Sequence, residues 1–249
     1  MTPAPSREGT SREAAVRRVT GWLFVIATVL FAAAATALSS TFDWPDILRE
    51  HPSTVLTQFD AGGTTLVWTW FAVAWTYFLL LPPILLLERV LAPEDHRYLS
   101  AATLIGAFSV VASTVGFLRW VFVVPELARS YTAATTNATR EAVTAAYVVQ
   151  HQFGGALLGE HVGQVLAILW TVVVSAAMLR SAIFRPWLGW IGFAASLVYL
   201  LNQGEILATA VPGFPVIEIA GLLGSTLWAV WLLLVGASLV RAGRDDARG

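Results

Sequence analysis

Cysteine and lysine are both missing from this 249-residue chain. Without cysteine there is no disulfide, no thiolate nucleophile and no iron–sulfur ligation, and the redox compartment leaves no trace. Without lysine no Schiff base can form, which excludes a retinal linkage. Charge is the third scarcity. Charged residues make up 12% of the chain and hydrophobic ones 57%, whereas a soluble domain carries roughly 25% charged residues. Mean hydropathy is +0.69 and the net charge −1. Such a chain has the lipid bilayer as its solvent and offers no basic surface for nucleic acid. No long polar segment stands apart, so one membrane-embedded domain is expected.

What is present is a series of long apolar runs. A span needs about 20 mostly apolar residues, and six are expected, near residues 20–40, 64–87, 100–124, 156–178, 187–210 and 216–240. The expected class is therefore all-α, a polytopic bundle of six transmembrane helices. Residues 1–19 and 241–249 would be tails flanking a membrane domain over 20–240. The first run is too long for a signal-peptide core, so it reads as a retained helix.

All basic residues are arginines, and they fall unevenly. With the N-terminus in the cytoplasm, the inner segments hold Arg7, Arg12, Arg17, Arg18, Arg89, Arg97, Arg180, Arg185, Arg241, Arg244 and Arg248. The outer ones hold Arg49, Arg129 and Arg140. The positive-inside rule then puts both termini in the cytoplasm. Trp22, Trp187 and Trp190 would anchor the inner interface, and Trp120 would lie towards the outer one.

The first two outer connections are long. Asp43, Pro45, Ile47, Leu48, Val55, Leu56 and Phe59 mark one or two short amphipathic helices on the outer interface. Asn137 can cap a second outer helix, and Gly154–Gly155 should bend it as it enters the membrane. Pro82 and Pro83 remove backbone donors and should bend the second span. His51 and His96 read as solvated loop histidines.

Polar residues inside spans are expensive and face a cavity or a partner. At 1.5 Å per residue, Arg119 lies about 9 Å below the exit at Pro125, and Glu205 about as far below Val211. Asn202 and Gln203 are slightly deeper. Glu160 lies roughly 7 Å inside the start of the fourth span, with Gln164 one turn further. His161 sits about 100° round the helix from Glu160, and Glu218 lies near the outer start of the last span. This match of depths predicts one polar site open to the outer face, drawn from Arg119, Glu160, His161, Gln164, Asn202, Gln203 and Glu205. Gly155, Gly159 and Gly163 recur every four residues and form a ridge for close helix packing. Arg119 with Glu160 or Glu205 reads equally as a structural salt bridge or as a ligand or proton site. A single arginine against several carboxylates would leave excess negative charge.

Metal and haem fit poorly. Glu160 and His161 are adjacent and diverge by about 100°, and EHVGQ is not the HExxH of a zinc protease. His151 and His161 are about 15 Å apart along an ideal helix and on different faces. No GxSxG, Walker loop or paired intramembrane aspartate is present, and no cofactor is expected.

GFLRWVFVVPELA (116–128), GEHVGQVLAILWTVVVSAAMLRS (159–181) and RPWLGWIGFAASLVYLL (185–201) resemble a family of bacterial integral membrane proteins catalogued as domain of unknown function 4386. That resemblance implies the architecture and a bacterial cytoplasmic membrane, and it carries no activity. The leading expectation is binding or transport of a small polar or amphiphilic molecule, proton-coupled through Glu160 or Glu205. The alternatives are an intramembrane enzyme acting on a lipid or isoprenoid, and a structural or regulatory subunit with a buried polar network.

Overall fold

The computed structural model describes residues 7–91 and 96–245, without the side chains of residues 7–10, 96 and 97. The expectation for His96 therefore lies outside the described residues. The described chain is helical with no strand among its elements. The helices are α1 (Arg7–Phe42), α2 (Pro52–Phe78), α3 (Leu81–Leu91), α4 (His96–Phe122), α5 (Val124–Thr132) and α6 (Asn137–Gln150). A π-helical stretch, His151–Val162, then leads into α7 (Gly163–Met178), followed by α8 (Pro186–Leu201), α9 (Gln203–Ala208) and α10 (Ile219–Asp245).

Six helical stretches are long and apolar enough to cross a membrane: Ser11–Phe42, Pro52–Leu91, Tyr98–Thr132, Asn137–Met178, Pro186–Ala208 and Ile219–Asp245. Each overlaps one expected span. Several run well past the membrane requirement because the adjoining connection continues as helix. The α2–α3 interruption falls just before Pro82 and Pro83, which cannot supply the amide donors that would carry α2 onward.

By internal packing the described chain divides into two compact units. The first comprises the described residues within Met1–Thr28, Leu79–Val110 and Val165–Gly249. Here α1 and α10 approach backbone to backbone: a Cβ on Gly21 would stand 2.5 Å from the Gly236 carbonyl oxygen, and one on Gly236 would stand 2.7 Å from that of Gly21. Small residues permit this approach, which replaces the missing hydrophobic drive between helices in lipid. Buried indoles find acceptors in this unit. Trp231 Nε1 donates to the Leu188 carbonyl at 3.0 Å, and Trp228 Nε1 to Thr171 Oγ1 at 2.8 Å. Trp22, Trp187 and Trp190 are exposed.

The second unit comprises Val29–Phe78 and Val111–Gln164. Its core is aromatic. Trp70 and Trp120 stack nearly parallel (4.8 Å, 6°), Phe59 stacks on Trp120 at 5.7 Å, and Phe42 stands edge-on to all three. Trp120, expected towards the outer interface, is fully buried, packed by the rings of Phe42, Phe59, Trp70 and Tyr147. Ile47, Val55, Leu56 and Phe59, the apolar face expected of the α1–α2 connection, pack into this core. The cap expected at Asn137 is made by Thr136, whose hydroxyl accepts from the Thr139 amide at 3.2 Å. Thr136 is extended while Asn137 is already helical, and a capping side chain must come from the residue outside the helix.

Candidate functional site

The second unit holds a charged polar group, and the route that brings each residue there begins in the backbone. At the end of α1, Asp43 adopts φ 52° and the chain enters a single 3-10 turn, Asp46–Arg49. Ile47 pins the turn by burying its side chain. Arg49 closes the turn, and its Nη2 stands 2.5 Å from Glu160 Oε2 in the π-helical stretch. The two side chains retain 28% and 16% of their exposure.

Arg119 comes from the last turn of α4 and is 6% exposed. Its Nη1 donates to the Gly116 carbonyl of its own helix, and its guanidinium carbon lies 5.1 Å from the Trp120 ring centre. Gly155 makes room for it: a Cβ there would come within 2.6 Å of Nη2. The contact repeats along the pair of helices. A Cβ on Gly116 would stand 2.5 Å from the Gly159 Cα, and Ser113 Oγ occupies the space beside Gly163. The glycine row 155, 159, 163 thus faces 119, 116 and 113 in antiparallel order.

Two further groups join from the same row continued backwards. Tyr147 Oη and His151 Nδ1 are 3.3 Å apart, and their rings stack at 5.4 Å. Arg49, Arg119, Tyr147, His151 and Glu160 all lie within electrostatic reach of one another. The π-helix makes that grouping geometrically feasible. Nine residues of α-helix are 2.5 turns, which would set His151 and Glu160 on opposite sides. Bonding from i to i+5 widens the helix, so nine residues become about two turns and the two face the same way.

The sequence-selected residues are divided between the two units. Arg119, Glu160, His161 and Gln164 belong to the second unit, whereas Asn202, Gln203 and Glu205 belong to the first. His161 and Gln164 are half-buried. Asn202 marks the break between α8 and α9, and its Oδ1 lies where a Cβ on Gly221 would meet it at 2.7 Å. Gln203 is buried, Glu205 half-buried and Glu218 exposed. Within the second-unit cluster two arginines face one glutamate. Arg49, Tyr147 and His151 were missed as site residues. The i, i+4 row 147, 151, 155, 159, 163 was the available signal for the last two. Nothing in the spacing pointed to Arg49, which depends on a non-helical turn. Among the described residues no three His, Asp or Glu side chains gather as a metal site.

Six helical stretches long and apolar enough to span a membrane define a polytopic α-helical membrane protein, and its second unit holds a charged, largely buried cluster. The family described as Domain of unknown function (DUF4386) matches residues 19–236, and the chain belongs to it. No curated protein and no solved structure matches the chain.

Proposed function

We propose that the protein binds or carries a small polar or amphiphilic molecule at the second-unit cluster of Arg49, Arg119, Tyr147, His151 and Glu160. The observation that carries this reading is the convergence of two arginines and one glutamate from three separate segments. Charges inside a membrane domain persist where they serve a pathway or a ligand. The Arg49–Glu160 pair ties a connecting turn to a π-helix, an element frequent at functional sites. A ligand that competes for either partner can therefore alter how that turn is held. The distribution of arginines supports cytoplasmic termini in a bacterial cytoplasmic membrane.

Native mass spectrometry of the protein extracted directly from its membrane into nanodiscs tests the binding reading. A small-molecule adduct is expected on the wild type and is expected to be lost in Glu160→Gln and Arg119→Gln. Folded variants that keep every adduct would sink it. Because the chain has no cysteine, Ser6→Cys and Asp246→Cys give single-thiol proteins for labelling with a membrane-impermeant reagent in intact cells. Neither thiol should react until the membrane is opened, and labelling of either one in sealed cells would reverse the orientation.

A further inference from the structure

Three buried donors in the second unit have no acceptor within hydrogen-bond reach among the described residues: Nε of Arg119 and Nε1 of Trp70 and Trp120. Their side chains form one contact chain, with the two indoles parallel at 4.8 Å and the guanidinium over the Trp120 ring. Both indoles are completely buried. An orphaned buried donor pays its desolvation with no compensating hydrogen bond, and three such penalties in one place are large beside the marginal stability of a domain. The buried indoles Trp228 and Trp231 of the first unit, by contrast, both reach acceptors.

Charge leans the same way. Two arginines face one glutamate, and Arg49 is already engaged with Glu160. One acceptor in the cluster, Glu160 Oε1, also has no partner among the described residues, which leaves donors and positive charge in surplus. An oxyanion is the complement of that surplus: it has only acceptors, it is charged, and its bonds to a guanidinium are the strong, charge-assisted kind. Gly155 keeps the guanidinium in place by leaving it room.

We propose that Arg119, Trp120 and Trp70 form a nest for the oxyanion of a carboxylate or phosphate, borne by a small free anion or by the head of an amphiphile. This inference rests on the binding reading above and specifies the ligand class of that site.

The test uses full-length protein in phosphatidylcholine nanodiscs, with binding read by tryptophan fluorescence and thermal shift. The probes are inorganic phosphate, dodecanoate, dodecyl phosphate, dodecanol and dodecyltrimethylammonium. The dodecyl anions should bind at least tenfold more tightly than dodecanol or the ammonium. Arg119→Gln should lose tenfold or more. Trp70→Phe and Trp120→Phe, which keep a ring and remove the N–H, should each lose about three- to tenfold, the effect of one hydrogen bond. Binding of inorganic phosphate as well identifies a free anion as the ligand, and binding of the dodecyl anions alone identifies an amphiphile head. Should Arg119→Gln not fold, Gly155→Ala retains the arginine, displaces its guanidinium and should weaken the same anions. Arg119-dependent binding of dodecanol or the ammonium at equal or greater strength overturns the oxyanion and leaves the binding reading standing. If no probe binds but a neutral or cationic adduct copurifies and depends on Glu160, the oxyanion again falls alone. If no probe binds and no dependent adduct copurifies, both fall.

Discussion

Alanine at Gly116 sets the harshest test of the helix contact beside the candidate site. Its Cβ would stand 2.5 Å from the Gly159 Cα and 3.2 Å from the Gly154 carbonyl oxygen. Carbon atoms pack at about 3.5–4.0 Å, so α4 and the π-helical stretch would have to separate by roughly 1 Å. Every atom in the way belongs to the backbone, and no rotamer change relieves it. Overpacking of this kind costs about 1–3 kcal/mol, offset by about 1 kcal/mol from the better helix propensity of alanine. With only backbone to yield, the upper end of that range applies, so a net loss of about 2 kcal/mol follows, which lowers Tm by roughly 4–8 °C for a chain of this size. Gly163→Ala is the internal control, because the obstructing atom there is the Ser113 hydroxyl, which can rotate away. Its Tm should stay within about 2 °C of wild type or rise. Thermal unfolding followed by circular dichroism in one detergent reads both. Equal destabilisation by the two alanines, or none by Gly116→Ala, would refute the backbone-contact reasoning.

Arg49→Ala and Glu160→Gln should each destabilise the protein, and the double variant should show a coupling of about 1.5–3 kcal/mol, as for a hydrogen bond to a charged group; additive losses would mean that the pair contributes nothing. Gly63 sits at φ 55°, ψ −149° inside α2, with open space around it, so Gly63→Ala should cost about 1–3 kcal/mol through backbone strain alone, seen as a lower Tm with unchanged helicity. Thr136→Ala removes the acceptor for the Thr139 amide and should cost about 0.5–2 kcal/mol, with faster hydrogen exchange confined to the first turn of α6; protection unchanged there would show that the cap is idle.

Much of the site was legible in part. Arg119 and Glu160 stood out because charge inside an apolar run is rare, and the glycine row stood out by its period. The row was read from Gly155 onward and stopped short of Tyr147 and His151, which share its spacing but lie in a segment that looked like an outer loop helix. His161 drew attention through its neighbour Glu160, yet His151 is the histidine stacked on Tyr147 beside the charged pair. Asn202, Gln203 and Glu205 were joined to Arg119 by depth alone. Depth gives a coordinate along the membrane normal and says nothing about separation within its plane.

Hydropathy by itself determined six spans and their approximate bounds, because covering about 30 Å of hydrocarbon with satisfied backbone leaves long unbroken apolar runs one solution, the helix. Tertiary structure alone decided which charges meet. A local change from α to π bonding turns Glu160 towards His151, and a single turn after α1 delivers Arg49 to its carboxylate. The burial of Trp120 follows from rings that α1, α2 and α6 bring against it. These outcomes depend on contacts between segments far apart in the chain, and short-range periodicity carries no record of them.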